Sequence, residues 1–133
     1  MADAQHIAAE FLGRYKIERK PLPAIALTNL SAITAIGNDY GFDKIFERQV
    51  DAFAQKGDVV IGFTTSGMSQ NVINGFLKAK EKKAKTICLT GRAKLDVDVL
   101  INVDSDDTPT VQENHIAIGH KICEIVEKHY GEL

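Results

Sequence analysis

Apolar positions along this chain fall into two alternating patterns. Short, continuously apolar runs occur at Pro23–Thr28, Val59–Phe63, Thr86–Thr90 and Val97–Val103. Each is bounded by proline, glycine or polar residues, which is how a strand buried on both faces reads. Between them lie stretches with helical spacing. Ala4–Leu12 is rich in helix formers and stops at Gly13, and a short helix over Ala32–Ile36 ends at Gly37-Asn38-Asp39. Asp43–Gln55 places Ile45, Phe46, Val50 and Phe53 on one face. A helix carrying Val72, Ile73, Phe76 and Leu77 runs into the basic stretch Lys78–Lys85, which suits the negative end of its dipole. A long final helix spans Pro109–Tyr130. Strands separated by helices predict an α/β fold, a three-layer sandwich with a mainly parallel sheet flanked by helices. The whole chain, residues 1–133, reads as one domain.

In such folds ligands bind at the carboxyl ends of the strands, so the residues just after each strand carry the functional question. The richest such segment is Thr64-Thr65-Ser66-Gly67-Met68-Ser69, between a strand and a helix. Hydroxyls and free N–H groups at a helix N-terminus make a seat for phosphate, and Gly67 lets the backbone come close. A plain helix cap by Ser66 or Ser69 needs fewer hydroxyls than the three around this glycine. The lysine and glycine spacing of a P-loop are absent.

His6 and Glu10 stand at i,i+4 on the first helix, side by side, as a metal-binding pair, an acid–base pair or a plain surface pair. On the last helix Gln112 and His120 lie about 80° apart in direction, on roughly one side. His115 falls in line with Val111, Ile118 and Ile122, which fits a packed role. Asn38-Asp39 is placed in a loop after the short helix, where it meets sugar hydroxyls or simply turns the chain.

Composition narrows the classes. With 44 % apolar and 26 % charged residues the chain is a soluble globular one, with enough apolar material for a core without disulfides or a structural metal. Sixteen Lys+Arg against eighteen Asp+Glu give a net charge of −2, which offers no basic patch for nucleic acid. No apolar run approaches the ~20 residues that span a bilayer, and the N-terminus lacks a signal-peptide pattern. Cys88 and Cys123 lie in apolar stretches without a metal or redox spacing, so they read as buried, reduced thiols of a cytoplasmic protein.

Taken together, these segments resemble a known family over nearly the whole chain, in order. Asp3-Ala4-Gln5-His6-Ile7-Ala8-Ala9-Glu10 with Gly13-Arg14-Tyr15 is similar to the first active-site helix of the phosphoheptose isomerases, which belong to the sugar isomerase (SIS) domain family. The likeness continues through Leu22–Leu27, Gly37–Phe42, Gly57–Val60, Thr64–Ser69, Leu89-Thr90-Gly91, Ser105–Pro109 and Gln112-Glu113. The resemblance implies a flavodoxin-like SIS fold and an aldose–ketose isomerisation. That reaction interconverts sedoheptulose 7-phosphate and D-glycero-D-manno-heptose 7-phosphate, the first step toward the activated heptoses of lipopolysaccharide or capsule.

By position, the resemblance makes Glu10 the base and His120 its partner acid. Thr64, Thr65, Ser66 and Ser69 hold the phosphate, and Asn38, Asp39 and Gln112 contact the sugar chain. It places zinc on His6, Glu10, Gln112 and His120, and it implies a homo-oligomer, a tetramer with active sites between subunits. The chain also departs from the family pattern. The family's N-terminal helix, first strand and Asn-Gly-Gly-Ser loop precede the segment at which this sequence starts, so a chain lacking them is expected. The linker Gly91–Asp96 is short, and Pro109 stands where an acidic residue is common. The alternative is a non-catalytic SIS-domain protein, binding a sugar phosphate or an initiator. Retention of Glu10 and His120 favours an enzyme.

Overall fold

The structure, a computed structural model, describes residues 1–131. Its elements are helix α1 (Ala2–Leu12), α2 (Leu30–Tyr40), a 3-10 turn (Phe42–Lys44), α3 (Ile45–Phe53), strand β1 (Val59–Thr64), α4 (Gln70–Glu81), β2 (Lys85–Thr90), β3 (Val99–Asn102) and α5 (Thr108–Gly131). The strands form a parallel sheet in the order β1-β2-β3, with Val59 opposite Lys85 and Ile87 opposite Val99. Strand alternation sends neighbouring side chains to opposite faces. Position 62 of β1 lies under Phe76 of α4, whereas Phe63 faces His115 of α5 across 6.3 Å. Helices α3 and α4 therefore cover one face and α1 and α5 the other, the layered arrangement expected.

Why the core sits where it does follows from the apolar stripes. Val50 from α3, Ala54 just after it, Ala79 from α4 and Ala84 before β2 form a buried cluster, with Leu27 and Val60 packed against it. Gly75 of α4, where a Cβ would come within 3.3 Å of Phe46 Cβ, lets the two helices lie close. Two residues assigned to the stripes are instead surface residues: Phe53 is 56 % and Leu77 is 54 % exposed. Each lies at the margin of its helix's apolar face, one turn beyond the buried Val50 and beside the buried Phe76.

The run Pro23–Thr28 is not a strand among the described residues. Pro21 and Pro23 have no N–H to give a ladder, and Thr28 N–H closes a tight turn onto the carbonyl of Ala26 (2.8 Å). Its apolar content is nevertheless used, because Leu27 packs on the core while Gln49 Nε2 donates to its carbonyl (3.4 Å). The short helix also runs further than its pattern, through Gly37 to Tyr40, and stops at Gly41 with φ +105°. Asn38 and Asp39 thus occupy the last helical turn, not a loop.

The start of β3 is set by Asp98. Its carboxylate accepts from Thr86 N–H (2.8 Å) and Thr86 Oγ1 (3.1 Å), and Thr86 Oγ1 in turn accepts from Asp98 N–H (2.9 Å). The backbone N–H of Thr86, then its hydroxyl, hold the Asp98 carboxyl below the usual carboxylate range. A lowered folded pKa means that this contribution is complete above the unfolded value, about 4, and is lost as the pH falls through the folded one. The unfolding midpoint of Asp98→Asn should therefore lie below that of the unsubstituted protein at pH 6. The gap should narrow at pH 3, as read by chemical denaturation; an equal gap at both pH values would refute the role given to the ionised carboxylate.

Candidate functional site

The first cluster is built where α1 crosses α5. Ile7 is the buried residue of α1, and it seats over Gly119, where a Cβ would come within 2.7 Å of Ile7 Cδ1. That close approach brings His6 and Glu10, on the flank of α1, to His120 on α5. His6 Nε2 lies 3.3 Å from Glu10 Oε1 and 3.1 Å from His120 Nε2. One nitrogen, one nitrogen and one carboxylate oxygen, all within 4.8 Å of one another, converge from two helices.

These donors fit a zinc ion. Bonds of about 2.0–2.1 Å at tetrahedral angles give ligand-to-ligand edges of roughly 3.3 Å, and both measured edges lie near that. The two facing imidazole nitrogens are satisfied either when one carries a proton and donates it to the other or when both turn their lone pairs to one cation.

What holds α1 there is a second pairing of α1's exit loop with α5. Arg19 and Glu127 are each only 3 % exposed and meet at 3.2 Å. Glu127 accepts the N–H groups of Tyr15 (2.8 Å), Lys16 (2.6 Å) and Ile17 (2.8 Å). Arg19 donates to the carbonyls of Glu10 (2.7 Å), Phe11 (3.0 Å), Gly13 (2.9 Å) and Lys20 (3.1 Å). Burial pushes the Glu127 carboxyl up, but the three N–H groups and Arg19 outweigh it and leave its pKa lowered. Neither residue was singled out from the sequence, and nothing local marks two positions so far apart as partners. Tyr15, part of the Gly13-Arg14-Tyr15 match but without an assigned role, stacks on His120 with ring centroids 5.4 Å apart.

The second cluster is the hydroxyl turn after β1. Gly67 takes φ +67°, and its N–H donates to Thr64 Oγ1 (3.1 Å) while Met68 N–H donates to Ser66 Oγ (3.1 Å). A Cβ at Gly91 would meet the Thr65 carbonyl at 2.8 Å, so the end of β2 can press against the turn and donate its N–H there (3.2 Å). Ser69 occupies the N-cap position of α4 without making a side-chain cap, and its Oγ lies 3.5 Å from Thr64 Oγ1. Thr64, Thr65 and Ser69 line a cavity of about 250 Å³ together with Gln112, His115 and Asp3. Thr65 and Ser66 also edge a neighbouring cavity of about 300 Å³ that contains Arg92, itself paired with Asp104 (2.7 Å) and Asp106.

His115 is packed as expected, 1 % exposed. Its Nε2 lies 3.2 Å from the Thr90 carbonyl, which can only accept, so the proton sits on Nε2. Asn38 and Asp39 bond to each other (2.9 Å) on the exposed end of α2 and join neither cluster. Cys88 and Cys123 are free and buried, and burial pushes both thiols up to about 11, which leaves no thiolate for chemistry near neutrality.

Known proteins share this fold. Residues 1–91 match the family model described as SIS domain. The chain is 53 % identical over 133 residues to a phosphoheptose isomerase of Sulfurimonas denitrificans, covering 96 % of this chain and 68 % of that protein. It is 55 % identical to the Geobacter sulfurreducens phosphoheptose isomerase, covering 96 % and 70 %. A solved phosphoheptose isomerase from Francisella tularensis superposes with a TM-score of 0.90 at 38 % identity, over 96 % of this chain and 71 % of that one. Another from Neisseria gonorrhoeae gives 0.86 at 46 % identity, over 96 % and 70 %. With over half its residues shared across nearly its full length, and the same fold, this chain belongs to the phosphoheptose isomerase family of SIS-domain proteins.

Proposed function

We propose that this chain is an isomerase of sedoheptulose 7-phosphate and D-glycero-D-manno-heptose 7-phosphate, acting in the supply of activated heptose for a bacterial lipopolysaccharide or capsule. The observation that carries the reading is the His6–Glu10–His120 cluster, a carboxylate and two imidazoles brought together across α1 and α5 in a chain of this family.

The isomerisation moves one proton between adjacent carbons through an enediol. Glu10 is the base that removes it, and His120 moves protons at the two oxygens. Thr64, Thr65, Ser66 and Ser69 bind the phosphate at the uncapped N-terminus of α4, where helix dipole and free N–H groups favour an anion. Gln112 lines the same cavity and is read as reaching the sugar chain; Asn38 and Asp39, on the exposed end of α2 and outside both clusters, keep the sugar-contacting role that the resemblance assigns. Binding energy gathered at the phosphate is then available to orient carbons that react at the far end of the substrate.

His6, Glu10 and His120 would hold zinc, with Gln112, two helical turns before His120 on α5, the fourth ligand that the family resemblance assigns. When bound, zinc supplies a positive charge that polarises a substrate oxygen and eases loss of the neighbouring proton.

The protein is read as a cytoplasmic homo-oligomer, a tetramer. Among the described residues no helix is long and apolar enough to cross a membrane. Leu30, Phe42 and Met68 are 70 %, 68 % and 80 % exposed, surface that association would cover. Sedimentation should give a species heavier than one chain; a stable monomer would remove the oligomer from this reading.

Glu10→Gln should lower kcat by about 10²-fold or more while the variant still binds sedoheptulose 7-phosphate in calorimetry. Turnover at the unsubstituted rate would take the base role away from Glu10, and an unsubstituted protein that binds the sugar phosphate without converting it would leave a binding protein. Titration of the metal-free protein with zinc alone should show binding that His6→Ala weakens by about a hundredfold or more. Equal affinity in the two proteins would move the metal off this cluster.

A further inference from the structure

The imidazole of His120 is held from two sides. The His6 ring meets it edge-on, with centroids 4.9 Å apart and planes at 63°, and Tyr15 stacks against it at 5.4 Å and 24°. Tyr15 belongs to the loop after α1, which has no helix or strand of its own to fix it. The loop is fixed by Glu127. Its carboxylate takes the Tyr15 N–H, and His120 and Glu127 stand two helical turns apart on one face of α5. One residue is thus tied at both ends to the same helix face, its backbone to Glu127 and its ring to His120.

We propose that Tyr15 is a positioning residue for His120, set by the Arg19–Glu127 pair, and that it restricts the imidazole to the one orientation that faces His6 and Glu10. This rests on the reading of His120 as the proton-moving group. The imidazole torsion about its ring bond is soft and broad, so without a stacked partner it is not confined by rotamer preference alone. The contact costs little to remove from the fold, because Tyr15 is only partly buried and its ring serves no core cluster. The Arg19–Glu127 pair is a poor site for the test, since deleting either member leaves a buried charge unpaired and endangers folding.

Tyr15→Leu and Tyr15→Phe separate the possibilities. Tyr15→Leu should lower kcat about three- to tenfold, the range expected of one aromatic contact, with KM and melting temperature unchanged. Nuclear relaxation of the His120 ring, measured in the metal-free proteins, should show it rigid without substitution and mobile in Tyr15→Leu. Tyr15→Phe, which keeps the ring and loses the hydroxyl, should match the unsubstituted protein in every measurement. The proposal is overturned if Tyr15→Leu leaves the His120 ring rigid, if its kcat is unchanged, or if Tyr15→Phe behaves like Tyr15→Leu. Should the unsubstituted protein catalyse no isomerisation, the functional reading falls by itself; ring relaxation then decides positioning, a mobile ring in Tyr15→Leu supporting it and a rigid one refuting it.

Discussion

The buried pair of Arg19 and Glu127 is the constraint on which the site depends. Helix α1 is eleven residues long and buries Ile7, too little to hold a helix of that length in place on its own. Its last carbonyls have no intrahelical donors, and Arg19 supplies them, with a cation at the negative end of the dipole. Taking both charges out of water costs several kcal/mol, on the order of what a buried ion pair recovers only with further hydrogen bonds. Here those bonds are present: three N–H groups on the carboxylate and four carbonyls on the guanidinium. The pair is therefore less a source of stability than a fixed point. It decides where α1 ends relative to α5, and so where His6 and Glu10 stand relative to His120.

Helix α5 then acts as the ruler of the whole site. Gln112 and His120 are separated by about 12 Å along its axis, at 1.5 Å per residue. Near its start the helix offers Gln112 to the cavity under the hydroxyl turn, and His120 lies further on, in the cluster with α1. Between them His115 turns inward and bonds the Thr90 carbonyl, which ties the helix to the end of β2. The hydroxyl turn, proposed to bind phosphate, and the His6–Glu10–His120 cluster, proposed to move protons, are thus carried on different elements but spaced by one rigid helix. That suits a substrate whose anion and reacting carbons lie at opposite ends.

How much of this was legible depended on the range of the interactions. Strands β1 and β2 and helix α4 declare themselves by local periodicity, and the His6–Glu10 pair is legible from i,i+4 spacing alone. His115 was separable from His120 because its neighbours at helical spacing are apolar. Pro23–Thr28 misleads because a strand needs a partner, and its apolar side chains find burial on the core without one. Helix α2 overran its pattern because Gly37 lowers helix propensity without ending a helix, while the stop came from the positive φ at Gly41. Arg19, Glu127 and Tyr15 lay beyond any local reading, since each acts through a residue about a hundred positions away.

The two roles of the cluster bear differently on its members. A carboxylate has two oxygens, so Glu10 can face a cation through Oε1, the atom beside His6, and keep Oε2 for a proton. An imidazole nitrogen has one lone pair. His120 turns Nε2 toward His6, and that nitrogen carries either a proton or a metal bond, never both. Under the proposed reading Glu10 would therefore keep an oxygen for the proton taken from carbon. His120 would move protons at the substrate oxygens through this nitrogen only where it carries no other bond, a division that follows from counting lone pairs on the three side chains the two helices bring together.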